Sequence, residues 1–255
     1  MSIAELDLTD DAFLGDALRI LQPRDAYRAG LDAVLLASAI PAGDGLCQVL
    51  DAGAGVGVVG LCVARRCTDA QVTLVEIAPE LAALARRNIE RNQLVARVTV
   101  VEADVGAGGA GFNGNGLASC SFDHVAANPP YYVDKHSSSS PSPLKARAHG
   151  MGEGALDAWL RFLATAVKPG GTATVVHRAA ALPELIAVLT PRFGALKMLP
   201  IHPRQGAPAN RIIVQGIKGS RAPLTILPGL ILHGEGQGFR PEIDAILRHR
   251  APLIL

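Results

Sequence analysis

Along most of the chain, short apolar runs alternate with longer stretches in which apolar residues recur every three or four positions. Residues 48–52 form an apolar run that enters a glycine cluster, and 58–66 has helical spacing. A second strand is predicted at 72–76. It is followed by a helix over 79–92, with Pro79 in its first turn and Leu81, Leu84, Ala85 and Ile89 on one face. Strands at 98–102 and 122–127 come next, then a helix at 156–167 that ends at Pro169-Gly170-Gly171. A strand at 172–177 and a helix at 183–193 follow. Residues 196–201 and 211–217 read as a closing antiparallel pair, and a short helix is expected after Pro241. Strands alternating with helices predict an α/β fold whose doubly wound, mostly parallel sheet has right-handed crossovers. Ligands in such sheets bind at the carboxyl ends of the strands. Two segments, 106–119 and 133–154, read as long irregular loops.

Composition narrows the class. Hydrophobic residues make up 49% and charged ones 18% of 255 residues, enough apolar matter for an ample core and too little charge for global disorder. The early acidic residues Glu5, Asp7, Asp10 and Asp11 replace the basic start of a secretory signal. The apolar stretch 31–40 is interrupted by Asp32 and Ser38 and is too short for a bilayer. A soluble, cytoplasmic protein with no membrane association is expected. Cys47, Cys62, Cys67 and Cys120 show no CxxC spacing, and the seven histidines form no cluster, so no metal is expected. The net charge of +1 conceals an asymmetry: residues 177–255 hold ten Lys and Arg against four Asp and Glu. A polyanion could use that basic third, or the surface could simply be uneven; charge alone does not decide.

The segment Asp51-Ala52-Gly53-Ala54-Gly55-Val56-Gly57 sits between a predicted strand and helix, where glycines allow a sharp turn and close approach to a ligand. Gly55 to Gly60 also fits the GxGxxG dinucleotide pattern. A nicotinamide-dependent oxidoreductase therefore shares these glycines, and Glu76, at the end of the second strand, suits ribose hydroxyls in either reading. Asp51 inside the turn and Asp104 after the third strand, where a carboxylate could meet an adenine amino group, tilt the balance away from a nicotinamide cofactor.

Asn128-Pro129-Pro130-Tyr131 follows the fourth strand. Two prolines fix φ and remove two donors, so the Asn128 amide oxygen and the Pro129 carbonyl are held as neighbouring acceptors. Two acceptors suit the two hydrogens of a substrate NH2. Holding both out of the ring plane localises the nitrogen lone pair toward an approaching methyl group. Tyr131 offers a stacking face. Positioning matters more than a strong base, because the amine becomes acidic once methylated.

Taken together, Asp51, Gly53, Gly55, Gly57, Glu76 and Asp104 resemble the cofactor half of class I S-adenosylmethionine-dependent methyltransferases. The tetrapeptide resembles that of the NPPY-type N-methyltransferases, whose members act on adenine N6 in DNA or RNA, guanine N2 in rRNA, or a glutamine side chain of release factors. Residues 29–36, ending Asp32-Ala33-Val34-Leu35-Leu36, are similar to the upstream segment of the tRNA(Val)-type adenine-N6 subgroup. Arg87-Asn88-Ile89 and the Ala146-Arg147 loop fit the same subgroup, and the resemblance spans about residues 13–218. It departs at Leu31, where the subgroup has Thr, in the Ser-rich loop 133–142, and over 219–255.

The resemblance implies a seven-stranded Rossmann-like sheet with one antiparallel closing strand, and S-adenosyl-L-methionine as cofactor. Asp32, Asp51, Gly53, Gly55, Gly57, Glu76, Ile77, Asp104, Val105 and Asn128 would line its site. Asn128, Pro129 and Tyr131 would hold the target amine; Tyr131, Lys135, Lys145 and Arg147 would contact substrate, unless that basic loop is merely solvated. The expected organisation is an N-terminal extension (1–30), a methyltransferase domain (31–218) and a C-terminal extension packed on it (219–255). The expected substrate is adenine N6 in tRNA or another structured RNA. The alternatives are a protein glutamine, a small molecule methylated as in O-methyltransferases, and the oxidoreductase reading above. The sequence leaves the oligomeric state open. Trp159 and Phe162 read as core aromatics, Cys62 and Cys67 as small packed residues, and His124 as a satisfied strand residue.

Overall fold

The computed structural model describes residues 6–25, 28–41, 45–112, 114–130 and 154–255. The chain opens with an antiparallel hairpin, β1 (Leu8–Phe13) and β2 (Leu18–Pro23), then α1 (Leu31–Ser38). The alternation follows: β3 (Cys47–Ala52), α2 (Val58–Arg66), β4 (Ala70–Glu76), α3 (Pro79–Arg91) and β5 (Val98–Glu102). Two short 3-10 turns within Val105–Phe112, separated by a kink at Gly108, lead to β6 (Phe122–Ala127). Further on lie α4 (Ala155–Ala166), β7 (Val167–Arg178), α5 (Leu182–Leu189), β8 (Phe193–Arg204) and β9 (Arg211–Lys218). The short β10 (Thr225–Ile226) and β11 (Leu230–His233) and the helix α6 (Pro241–His249) complete it.

Across the sheet the order is β5-β4-β3-β6-β7-β9-β8, with β10 and β11 both pairing onto β8. Neighbours from β5 to β7 are parallel, and β9 runs antiparallel to both β7 and β8. The sheet thus has nine strands among the described residues, where seven are expected from the sequence. The two additional strands come from beyond residue 218. They shield the long β8, whose unpaired edge would otherwise invite association.

Both faces of the sheet are covered, which is why its strands are apolar at successive positions rather than at alternate ones. Val49 faces the layer of α1, α2, α3 and α6, represented by Leu35, Leu61, Leu84 and Ile243. Leu50 faces the layer of α4 and α5, with Leu160, Phe162 and Leu185. The predicted amphipathic helix over 79–92 is α3, burying Ala82, Leu84, Ala85 and Ile89 with Pro79 in its first turn. The first part of the segment 106–119 forms 3-10 turns on either side of a kink at Gly108. After α6 the chain returns to α1, where the Leu253 amide donates to the Ser38 carbonyl at 2.9 Å. No helix among the described residues is long and apolar enough to cross a membrane.

Candidate active site

The glycine turn starts at the carboxyl end of β3. Asp51 is buried, and its Oδ2 accepts the Gly60 amide of α2 at 2.9 Å. Burial pushes the Asp51 carboxyl up to about 7; the Gly60 N–H opposes this and the nearby Glu76 adds to it. Gly53 has φ 69°, and a Cβ there would stand 2.3 Å from the Trp159 ring of α4. Gly55, at φ 56°, is different: a Cβ there would meet nothing within 4 Å, so the turn is open at that point. Gly57, with φ 93°, is the N-cap of α2. The amino end of a helix and its turn present N–H groups suited to electron-rich ligand atoms.

Glu76 closes the next side. Its Oε2 accepts the Gly55 amide at 2.8 Å and its Oε1 the Ala78 amide at 2.9 Å, which ties the end of β4 to the glycine turn. Each carboxylate oxygen retains acceptor capacity beyond one such bond. Burial raises the Glu76 pKa, while N–H groups of Ala78, Gly55 and Ile77 lower it. Ile77 beside it is 58% exposed, an apolar side chain left uncovered at the rim. Asp104 follows β5 and is exposed; its Oδ1 accepts the Gly106 amide at 2.8 Å, at the start of the first 3-10 turn. Val105, the next residue, is buried.

On the other side of β3, Ala52 pairs with Ala127, the last residue of β6. Asn128 therefore begins directly beside Gly53. Asn128 is half-buried, Pro129 buried and Pro130 half-buried. Parallel pairing of Ala127 with Val175 sets His177, near the end of β7, alongside the same prolines. Burial, helped by the charges of Arg178 and Arg211, lowers the His177 pKa to about 4 and keeps its ring neutral near pH 7. Tyr131, Lys135, Lys145 and Arg147 lie outside the described residues.

Asp32 sits in the first turn of α1, where its Oδ2 receives the Arg211 guanidinium at 2.8 Å. Arg211 in turn lies across from Arg178 in the β7–β9 ladder. The structure thus brings Asp51, the three glycines, Glu76, Ile77 and Asn128 around one strand-end crevice and pairs Asp32 with a strand-end arginine. Sequence reasoning leaves out the part Trp159 plays against Gly53 and misses His177. Their partners are supplied by distant strands, so no local pattern announces them. His124 is a hydrogen-bonded strand residue, its Nδ1 against the Thr172 hydroxyl, as expected.

Residues 30–142 match the model of the methyltransferase small domain. A protein of Agrobacterium tumefaciens, Atu636, described as a predicted O-methyltransferase, superposes over 88% of this chain and 99% of its own with a TM-score of 0.74 and 36% identity. The chain belongs to the methyltransferase family. S-adenosylmethionine is the cofactor of this family, and the strand-end residues fit it: an open glycine turn at a helix amino end, a carboxylate at the next strand end and an uncovered apolar side chain. A methyltransferase from Pyrococcus furiosus, 20% identical and covering 80% of this chain and 90% of its own with a TM-score of 0.58, shares the fold. Among curated relatives, the tRNA1(Val) (adenine(37)-N6)-methyltransferase of Shewanella amazonensis is 36% identical over 119 residues, covering 47% of this chain. That of Bacteroides fragilis is 32% identical over 151 residues, or 59% of this chain. The chain spans 48% and 60% of the length of these two relatives.

Proposed function

We propose that this methyltransferase-family protein methylates an exocyclic amine, adenine N6 in tRNA. The observation that carries the reading is the adjacency of Asn128-Pro129 to Gly53 at the ends of two neighbouring strands. When bound, S-adenosyl-L-methionine supplies an electrophilic methyl group. The Asn128 amide oxygen and the Pro129 carbonyl accept the two amine hydrogens, fix the plane of the NH2 group and direct its lone pair toward the glycine turn. The prolines keep this pair of acceptors rigid without a donor that would compete for them. Glu76 offers its remaining acceptor sites to a diol, and Ile77 offers an apolar face to a planar ring. An adenine in an RNA loop reaches such a crevice more readily than one stacked in a helix, which would have to be extruded. The names carried by the Shewanella and Bacteroides relatives support tRNA as the class of substrate.

A second reading, transfer to a hydroxyl of a small molecule, is favoured by the description of the Agrobacterium protein, which matches over almost its whole length. The two readings make different demands: a hydroxyl acceptor needs a base, whereas an amine needs two acceptors. The test is transfer of radiolabelled methyl from S-adenosylmethionine to separate pools of undermodified tRNA, rRNA, DNA and protein, followed by nucleoside analysis. Label recovered as N6-methyladenosine from tRNA is expected. Label in protein would move the assignment to a glutamine side chain. Absence of label from all four pools, with cofactor bound, would overturn the proposal in favour of a small molecule.

A further inference from the structure

Two asparagines at the end of α3, Asn88 in its last turn and Asn92 as its C-cap, do what a strand would do. Asn88 and Asn92 are buried one helical turn apart, facing the outer edge of β2. Asn92 accepts the Arg19 amide through Oδ1 at 2.9 Å and donates to the Arg19 carbonyl through Nδ2 at 2.9 Å. Asn88 treats Leu21 the same way, accepting its amide at 2.9 Å and donating to its carbonyl at 3.1 Å. Four residues of helix rise about 6 Å and two residues of strand about 6.6 Å, so the two spacings nearly match. Each side-chain amide brings one acceptor and two donors, which is what alternate residues of a strand edge require.

The two residues differ in where the second donor goes. In Asn92 it returns to the Asn88 carbonyl of its own helix, at 2.8 Å. In Asn88 it reaches the Val56 carbonyl, 3.0 Å away, inside the glycine turn. That carbonyl shares a peptide plane with the Gly57 amide, which donates to the Ala54 carbonyl at 2.8 Å. The plane is therefore pinned at both ends, and Asn88 is the pin that comes from outside the turn. Glu76 holds the neighbouring Gly55 amide from the opposite side.

We propose that Asn88 is a positioning residue for the cofactor site: its amide fixes the Val56–Gly57 peptide and so couples the N-terminal hairpin to the shape of the glycine turn. This rests on the reading of that turn as the cofactor site. A residue that merely filled the core there could be apolar; three hydrogen bonds from one buried amide are needed only if both the hairpin and the turn must be held.

The paired asparagine supplies the control. Asn92→Ala releases the hairpin at Arg19 without touching the turn, whereas Asn88→Ala releases both. In the full-length protein, S-adenosylhomocysteine affinity is measured by titration calorimetry alongside the melting temperature. Both variants are expected to melt earlier. Asn92→Ala should bind within about twofold of the unaltered protein and Asn88→Ala at least tenfold more weakly, scaled from the loss of a buried hydrogen bond. Asn88→Asp keeps the volume and an acceptor for the Leu21 amide but removes both Nδ2 donors, those facing the Leu21 and Val56 carbonyls, and so serves should the alanine variant not fold. Its affinity should be reduced at pH 8 and recover only in part as acid protonates the new carboxyl, whose single O–H can serve one of the two carbonyls. Equal affinity in the Asn88 and Asn92 alanine variants, or an undiminished affinity of Asn88→Asp at pH 8, would overturn the inference. An unaltered protein that binds no S-adenosylhomocysteine would overturn the cofactor reading itself, which the unaltered-protein titration reports separately.

Discussion

Gly53 and Gly55 adopt nearly the same left-handed backbone, at φ 69° and 56°, yet a methyl group added to each would meet opposite surroundings. At Gly53 it would press on the Trp159 ring, so Gly53→Ala combines backbone strain of about 1–2 kcal/mol with overpacking of about 1–3 kcal/mol. At Gly55 only the backbone strain applies, because nothing lies within 4 Å. On the proposed reading, the open space there is left for the cofactor. Gly53→Ala is therefore expected to lower the melting temperature markedly. Gly55→Ala should lower it slightly but abolish the upward shift that S-adenosylhomocysteine gives the unaltered protein. A full ligand-induced shift in Gly55→Ala would remove the open face of Gly55 from the cofactor site. Asn128→Ala separates the other half of the crevice: turnover should be lost while cofactor affinity stays within a few-fold, measured by methyl transfer and calorimetry. Loss of cofactor binding instead would show that Asn128 serves the cofactor and not the amine.

At the scale of elements, the segment after residue 218 is part of the same core. Ile243 is fully buried and Ile246 nearly so, both packed with α1 and the hairpin in one apolar layer. Ile243→Ala should cost about 2–5 kcal/mol in denaturant unfolding, without changing S-adenosylhomocysteine affinity. A loss well below that range would mean α6 is loosely attached. The regular α/β alternation was legible because each unit carries its own signal. The apolar face and leading proline of α3 mark a helix, and the short apolar runs of β5 and β6, bounded by turn residues, fall where expected. The hairpin was not legible. β1 has two adjacent aspartates in place of alternation, and the edge of β2 is satisfied by side chains some 70 residues away. β10 and β11 are two and four residues long, and their pairing depends on the edge that β8 presents. In the crevice, the glycine turn and Asn128-Pro129 were legible because their backbone chemistry is local. Trp159, Asn88 and His177 acquire their places only when distant strands and helices meet.

For the molecule as a whole, two buried groups bend the stability curve in opposite directions. Asp51 titrates near 7 in the fold against 3.8 when unperturbed, so the folded state holds a proton that the unfolded chain has released. Its contribution is complete below about pH 4 and is lost as the pH rises to about 7; Glu76, also raised by burial, acts in the same sense. His177 titrates near 4 against 6.5, so there the unfolded chain binds the extra proton. Its contribution is complete above about pH 6.5 and is lost as the pH falls toward 4; His124, lowered by burial, adds to it. Between pH 4 and 6.5 the two effects oppose each other. Asp51→Asn retains an oxygen for the Gly60 amide and removes the titration, so its stability relative to the unaltered protein should climb as the pH rises from 4 to 7. His177→Gln removes the opposite effect, so its relative stability should fall as the pH rises from 4 to 6.5. Urea midpoints measured at half-unit steps across this range test both. An Asp51→Asn profile that runs parallel to that of the unaltered protein would show that the carboxylate is already ionised in the fold, and that the Gly60 amide outweighs its burial.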